Sequence, residues 1–94
     1  MIQNDRGSRS IKATIVNELG LHARSAAKLA KIAQKAKSNV WIKKNGQQVD
    51  AKSIIDILML GCKKGSRIEV MIDDQNDIGI LDSIKDMVES GFGE

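Results

Sequence analysis

The chain has 94 residues and a mass of 10.3 kDa, which makes it one domain with room for one modest core. With 41% hydrophobic and 29% charged residues it is an ordinary globular sequence. A single cysteine, Cys62, and a single histidine, His22, exclude an internal disulfide, a multi-thiolate zinc site and paired-histidine metal motifs.

The longest apolar run, Ile57 to Leu60, is four residues, far short of the roughly 20 that cross a bilayer. The first ten residues are largely polar and charged, unlike a secretory signal. A cytoplasmic protein without membrane insertion is therefore expected. Two aromatic residues, Trp41 and Phe92, are too few to stack successive bases, so a nucleic-acid partner is not expected. Charge is unevenly placed. Residues 1–52 carry eleven Lys and Arg against three acids, and residues 53–94 carry four against nine. One side of the molecule should be basic and attract acidic partners in general.

Residues 1–9 show no periodicity and contain Gly7; they read as a flexible N-terminal arm ahead of a domain at 10–94. Ile11, Ala13 and Ile15 then alternate with Lys12 and Thr14, the period of a strand with one buried face. A loop with Gly20 follows. From Ala23 the period changes: Ala26, Leu29, Ala30, Ala33 and Ala36 recur at helical spacing, with Arg24, Lys28, Lys31 and Lys35 on the opposite face. Val40 and Ile42 alternate with Trp41 and Lys43, Asn45-Gly46 signals a tight hairpin, and Gln47 to Asp50 is the returning strand.

Ser53 with Asp56 three residues later fits a capping box, and Gly61 a left-handed stop, for a short helix from Ile54 to Leu60. Ile68, Val70 and Ile72 form another alternating strand. Ile80, Leu81, Ile84, Met87 and Val88 give a final helical stripe from about Asp77 to Ser90, with Asp77 in the first turn, where the helix dipole favours an acid. The order β-α-β-β-α-β-α predicts a two-layer sandwich with helices on one sheet face.

His22 stands where the first helix begins, with Arg24 two residues on. A helix start presents unpaired N–H groups and partial positive charge, a ready anion site. An imidazole there has a neutral nucleophilic nitrogen near pH 7, and an arginine beside it would steady the charge of a transferring phosphoryl group. On local chemistry alone, an exposed cap and a solvated cation are the favoured reading of the pair.

Gly20-Leu21-His22-Ala23-Arg24-Ser25-Ala26-Ala27, followed by Asn45-Gly46, Ala51-Lys52-Ser53-Ile54-Ile55 and Leu60-Gly61, resembles HPr, the histidine-containing phosphocarrier family of the bacterial phosphoenolpyruvate-dependent phosphotransferase system. The likeness runs from about Ile11 to Val88. It implies an α+β open-faced β-sandwich with an antiparallel sheet of order 1-4-2-3 and three helices on one face. It implies that His22 accepts a phosphoryl group on Nδ1 from enzyme I and passes it to a histidine of sugar-specific IIA domains, with Arg24 assisting. The protein would be a stoichiometric, monomeric carrier rather than a turnover enzyme by itself, with no cofactor and no metal. An alternative on the same scaffold is a regulatory paralogue, serving a nitrogen-related branch or binding transcription regulators.

The family usually has proline where this chain has Ser25. Serine should loosen the first turn and offers a hydroxyl to the phosphate. The second helix carries Ile54, Ile55, Ile57, Leu58, Met59 and Leu60 around two turns, too many to bury in a surface helix, so an exposed apolar patch for a protein partner is expected. The resemblance singles out Ile54, Ile55 and Leu58, beside Ala27, Lys28 and Lys31. Ser53, a helix cap on plain reading, matches the serine that a dedicated kinase phosphorylates in many family members. Cys62 reads as a small packed hydrophobe, Trp41 as a residue of the open sheet face, and Met59 and Met87 as core filling. Asp77, Asp82, Asp86 and Glu89 read as the solvated face of the last helix.

Overall fold

The computed structural model describes residues 9–94; of the expected N-terminal arm, residues 1–8 lie outside that range. Strand β1 (Ser10–Thr14) leads to helix α1 (Ala23–Ala33), the hairpin strands β2 (Val40–Lys44) and β3 (Gln47–Asp50), helix α2 (Ile54–Met59), strand β4 (Arg67–Ile72) and helix α3 (Ile78–Glu89). Short 3₁₀ turns occupy Gln75–Asp77 and Gly91–Gly93. The sheet order is β1-β4-β2-β3, antiparallel throughout.

Register sets which face is buried. Ala13 lies opposite Ile68, and Val70 lies between Ile11 and Ile42; Ala13, Ile42, Ile68 and Val70 are buried while Lys12, Lys43 and Arg67 are exposed. This is the period-two pattern of a sheet covered on one side. Helix α3 packs on β1 and β4, and α1 packs against α2 and α3, so Leu29, Ala30, Ala33, Ile57, Leu81, Ile84 and Val88 complete one core. The hairpin turn places Asn45 at φ 51° and Gly46 at φ 84°, as a type I′ turn demands. Trp41 is half-buried and its Nε1 donates to Asp73 Oδ1 at 3.0 Å.

Three local expectations need correction. Asp77 is not on a solvated face. Its carboxylate is buried and accepts the N–H groups of Lys37 at 2.9 Å and Ser38 at 3.0 Å, clamping the segment that leaves α1. Ser53 Oγ accepts the Asp56 N–H at 3.2 Å, but the Ser53 N–H is taken by the Asp50 carbonyl, so the cap is one-sided rather than a reciprocal box. Met59 is 70% exposed and fills no core, because Ile57 and Leu60 already occupy the inner face of α2.

Candidate functional site at the start of helix α1

The loop from β1 to α1 is pinned before His22 is reached. Ile15 N–H donates to Ser66 at 2.8 Å, Gly65 N–H to Ile15 at 2.7 Å, and Leu21 N–H to the Cys62 carbonyl at 2.9 Å. Gly20 turns at φ 65°, and a Cβ there would stand 2.3 Å from the Cys62 oxygen, so the close approach requires glycine. His22 follows as the N-cap of α1 in extended conformation, φ −110° and ψ −176°.

The two ring nitrogens have different partners. Nδ1 accepts the Arg24 backbone N–H at 3.4 Å, and Nε2 lies 2.9 Å from Glu94 Oε2. A carboxylate accepts and an amide donates, so the network places the ring proton on Nε2 and leaves the Nδ1 lone pair facing the helix start. Arg24 donates to the same Glu94 oxygen from Nε at 3.2 Å and Nη2 at 3.1 Å. Glu94 Oε1 accepts from Asn17 Nδ2 at 3.2 Å, whose other proton reaches the Gly20 carbonyl at 2.8 Å. Burial pushes the Glu94 carboxyl up, but hydrogen bonds from His22, Asn17 and Arg24 outweigh it and hold the group below its ordinary value. Glu94 is therefore an anion at neutral pH.

Ser25 does not serve as expected. Its hydroxyl is fully buried, accepts the His22 N–H at 2.9 Å and donates to the Gly20 carbonyl at 3.0 Å. It completes a capping box that fixes the His22 backbone; it faces inward, not toward an anion at the ring. The first turn, lacking proline, is tied by this hydroxyl instead.

Of the expected partner-facing residues, Ile54, Ile55, Leu58 and Lys31 are exposed and Ala27 is half-buried. Lys28 is half-buried too, its ammonium donating to the Phe92 carbonyl at 2.8 Å. Met59 widens the apolar patch, and Leu19, 67% exposed, adds an apolar side chain in the loop just before His22. Cys62 is buried and burial pushes its thiol up, as a packed hydrophobe behaves. Glu94, Asn17 and Phe92 were not singled out by the sequence. The only signal was an aromatic flanked by Gly91 and Gly93 beyond the last helix. Among the described residues no three His, Cys, Asp or Glu side chains gather as a metal site, and no helix is long and apolar enough to cross a membrane.

An imidazole with Nδ1 turned to a helix start, on an open-faced sandwich, is the arrangement that the class of small histidine group carriers requires. Comparison with known proteins agrees. The family model described as the PTS HPr component phosphorylation site matches residues 9–90. The chain is 41% identical over 81 residues to the phosphocarrier protein HPr of Cupriavidus necator, covering 86% of this chain and 91% of that one. It is 39% identical over 80 residues to HPr of Neisseria meningitidis serogroup B, covering 85% and 90%. The crystal structure of HPr-C-His from Thermoanaerobacter tengcongensis superposes with a TM-score of 0.85 at 34% identity, over 90% of this chain and 96% of that one. The chain belongs to the HPr family, the phosphocarriers of the phosphotransferase system.

Proposed function

We propose that Nδ1 of His22 accepts the phosphoryl group from enzyme I and gives it up to a histidine of sugar-specific IIA domains. The observation that carries this reading is the division of labour on the ring: Nε2 is committed to Glu94 while Nδ1 faces the N-terminus of α1. Attack uses the Nδ1 lone pair, so a ring already protonated at Nε2 needs no base. The first free N–H groups of the helix and its dipole then meet the incoming oxygens. Arg24, 63% exposed at its side chain, swings little to exchange the Glu94 oxygen for a phosphoryl oxygen, where charge-assisted bonds are stronger than neutral ones.

Docking falls to the exposed Ile54, Ile55 and Leu58 of α2 with Ala27, Lys28 and Lys31 of α1. An apolar patch supplies affinity, and the basic rim raises the association rate with acidic partners. Ser53, at the edge of that patch, is the candidate for a regulatory kinase. The test is intact mass after incubation with enzyme I and phosphoenolpyruvate. Wild type should gain an acid-labile phosphoryl group and His22→Ala should not; the same gain in His22→Ala sinks the assignment. Onward transfer to sugar IIA domains separates sugar transport from a regulatory branch.

A further inference from the structure

We propose that the open face of the sheet, on the side away from the helices, is a second docking surface. It takes an extended acidic segment of a partner protein while His22 and the apolar patch of α2 stay free. This goes beyond the transfer reaction and does not depend on it.

The strand register builds the surface. Side chains that alternate with the core point away from the helices, which puts Lys12, Glu69, Lys43 and Gln48 in one row across the four strands, with Glu69 opposite both lysines. Arg67 stands one row to one side, opposite Thr14, and Met71 one row to the other, opposite Trp41. Lys12, Lys43 and Arg67 are exposed and, with Glu69, line a hollow of about 310 Å³. Opposite charges facing each other across strands ordinarily pair. Here neither lysine reaches Glu69 within ion-pair distance, and among the described residues none of the three cations has an ion-pair partner. A second hollow, about 350 Å³, continues from Glu69 to Met71, Trp41 and Arg9. Trp41 and Met71 are half-buried, and the acid at that rim, Asp73, is already taken by Asn39 and Trp41.

The arrangement specifies its occupant. From Met71 through Glu69 to Arg67 the face repeats every second residue, about 6.6 Å, and an extended peptide has the same repeat. An apolar side chain seated on Trp41 and Met71 therefore places acids two and four residues further on among Lys12, Lys43 and Arg67. Glu69 decides against nucleic acid: a backbone with a phosphate at every unit cannot avoid it, whereas a peptide meets it with a hydroxyl or a backbone N–H. One aromatic ring also gives successive bases nothing to stack on. Because α1 and α2 lie in the opposite layer, a segment seated here covers neither His22 nor Ile54, Ile55 and Leu58. One protein can then hold the carrier while another exchanges phosphate with it.

The experiment uses the full chain and the end-blocked peptide Leu-Thr-Glu-Thr-Glu-Ser-Glu. Trp41, the chain's one tryptophan, reports binding by fluorescence, and ¹⁵N amide shifts locate the contact. The same peptide with glutamine for glutamate and a single-stranded oligothymidylate are the comparisons, and melting curves confirm that the variants fold. The acidic peptide should bind saturably, shift amides of β1, β2 and β4, and weaken as salt is raised; the glutamine peptide should not saturate. Lys12→Gln, Lys43→Gln and Arg67→Gln should each weaken binding about threefold, as the loss of an exposed ion pair does, while Lys31→Gln on α1 leaves it nearly unchanged. The peptide-saturated carrier should take up phosphate from enzyme I with kcat and KM within about twofold of the free carrier. Absence of saturable binding, amide shifts confined to α1 and α2, or a loss in Lys31→Gln equal to that in Lys43→Gln overturns the proposal. Oligothymidylate that binds more tightly than the peptide overturns it in favour of nucleic acid, and a peptide that blocks phosphate uptake overturns it in favour of one shared surface.

Discussion

Lys28 and Phe92 join the end of the described chain to the helix that carries the site: the ammonium donates to the Phe92 carbonyl at 2.8 Å while the ring is 1% exposed. Phe92 sits at φ 59°, a region that costs an L residue roughly 1–2 kcal/mol. Burial of the ring offsets that strain. Phe92→Ala should lower the unfolding free energy by about 3 kcal/mol, the low end for a buried phenylalanine, because a terminal segment relaxes into part of the space. Urea denaturation measures it. The same variant should also release Glu94 and mix the His22 tautomers, so a stability loss with an unchanged ring would show that Glu94 is placed by its own bonds.

Gly20 and Gly46 both have positive φ, yet their substitutions should differ. A Cβ on Gly20 meets backbone: the Cys62 oxygen at 2.3 Å and the Lys63 Cα at 2.9 Å; one on Gly46 meets nothing within 4 Å. Gly46→Ala should therefore cost only the left-handed backbone, about 1 kcal/mol. Gly20→Ala adds a clash that neither strand of the loop can relieve by a side-chain rotation, for about 3 kcal/mol in all. It should also displace Leu21 from Cys62 and slow phosphoryl uptake at His22. Equal melting temperatures for the two variants would contradict this account.

Much of the architecture was legible because periodicity is local. The alternation of Ile68, Val70 and Ile72 and the helical stripe of Leu29, Ala30 and Ala33 are readable within a few residues, and both are buried as read. The place of His22 and Arg24 at the start of α1 was legible in the change of period at Ala23, whereas the role proposed for them came from the family resemblance and not from local chemistry. What escaped depends on long-range paths. Glu94 lies 72 residues from His22, and Asp77 lies 40 from Lys37; in sequence each is one acid among many. Ser25 was legible as a departure from proline, but the direction of its hydroxyl depends on the left-handed turn at Gly20 that brings a carbonyl within 3.0 Å. Met59 was misread because a six-residue helix with five apolar side chains exposes some of them, and the pattern does not say which.

Asp77 should leave a mark on acid stability. The hydrogen bond from the Lys37 N–H holds its carboxyl below the ordinary 3.8, assisted by Ser38 and opposed by burial. A carboxyl with a lowered folded value contributes stability that is complete above the unfolded value and disappears as pH falls through the folded one. Asp77→Asn, with one acceptor oxygen in place of two, should be clearly less stable than wild type at pH 6. The gap should narrow below about pH 4 and close once wild-type Asp77 is itself protonated. Denaturant midpoints at a series of pH values check this, and a gap that is constant down to pH 2 would mean that shape, not charge, sets the contribution.

Ser53 separates stability from docking. Its Oγ accepts the Asp56 N–H at 3.2 Å, and Ser53→Ala should cost about 1 kcal/mol as a lost N-cap. Aspartate caps as well as serine, and its charge suits the start of a helix, so Ser53→Asp should unfold at nearly the wild-type denaturant concentration. The same charge lies next to Ile54 and Ile55, which are exposed, and a partner that covers them must strip water from it without supplying a counter-charge. The expected signature with enzyme I is a raised KM with kcat little changed, the mark of weakened docking rather than damaged chemistry. Leu58→Glu, which places an acid inside the patch and leaves the cap intact, should raise KM in the same way. If Ser53→Asp takes up phosphate as fast as wild type at low carrier concentration while Leu58→Glu does not, the patch docks the partner but Ser53 lies beyond its footprint, and phosphorylation there has no route to control the transfer.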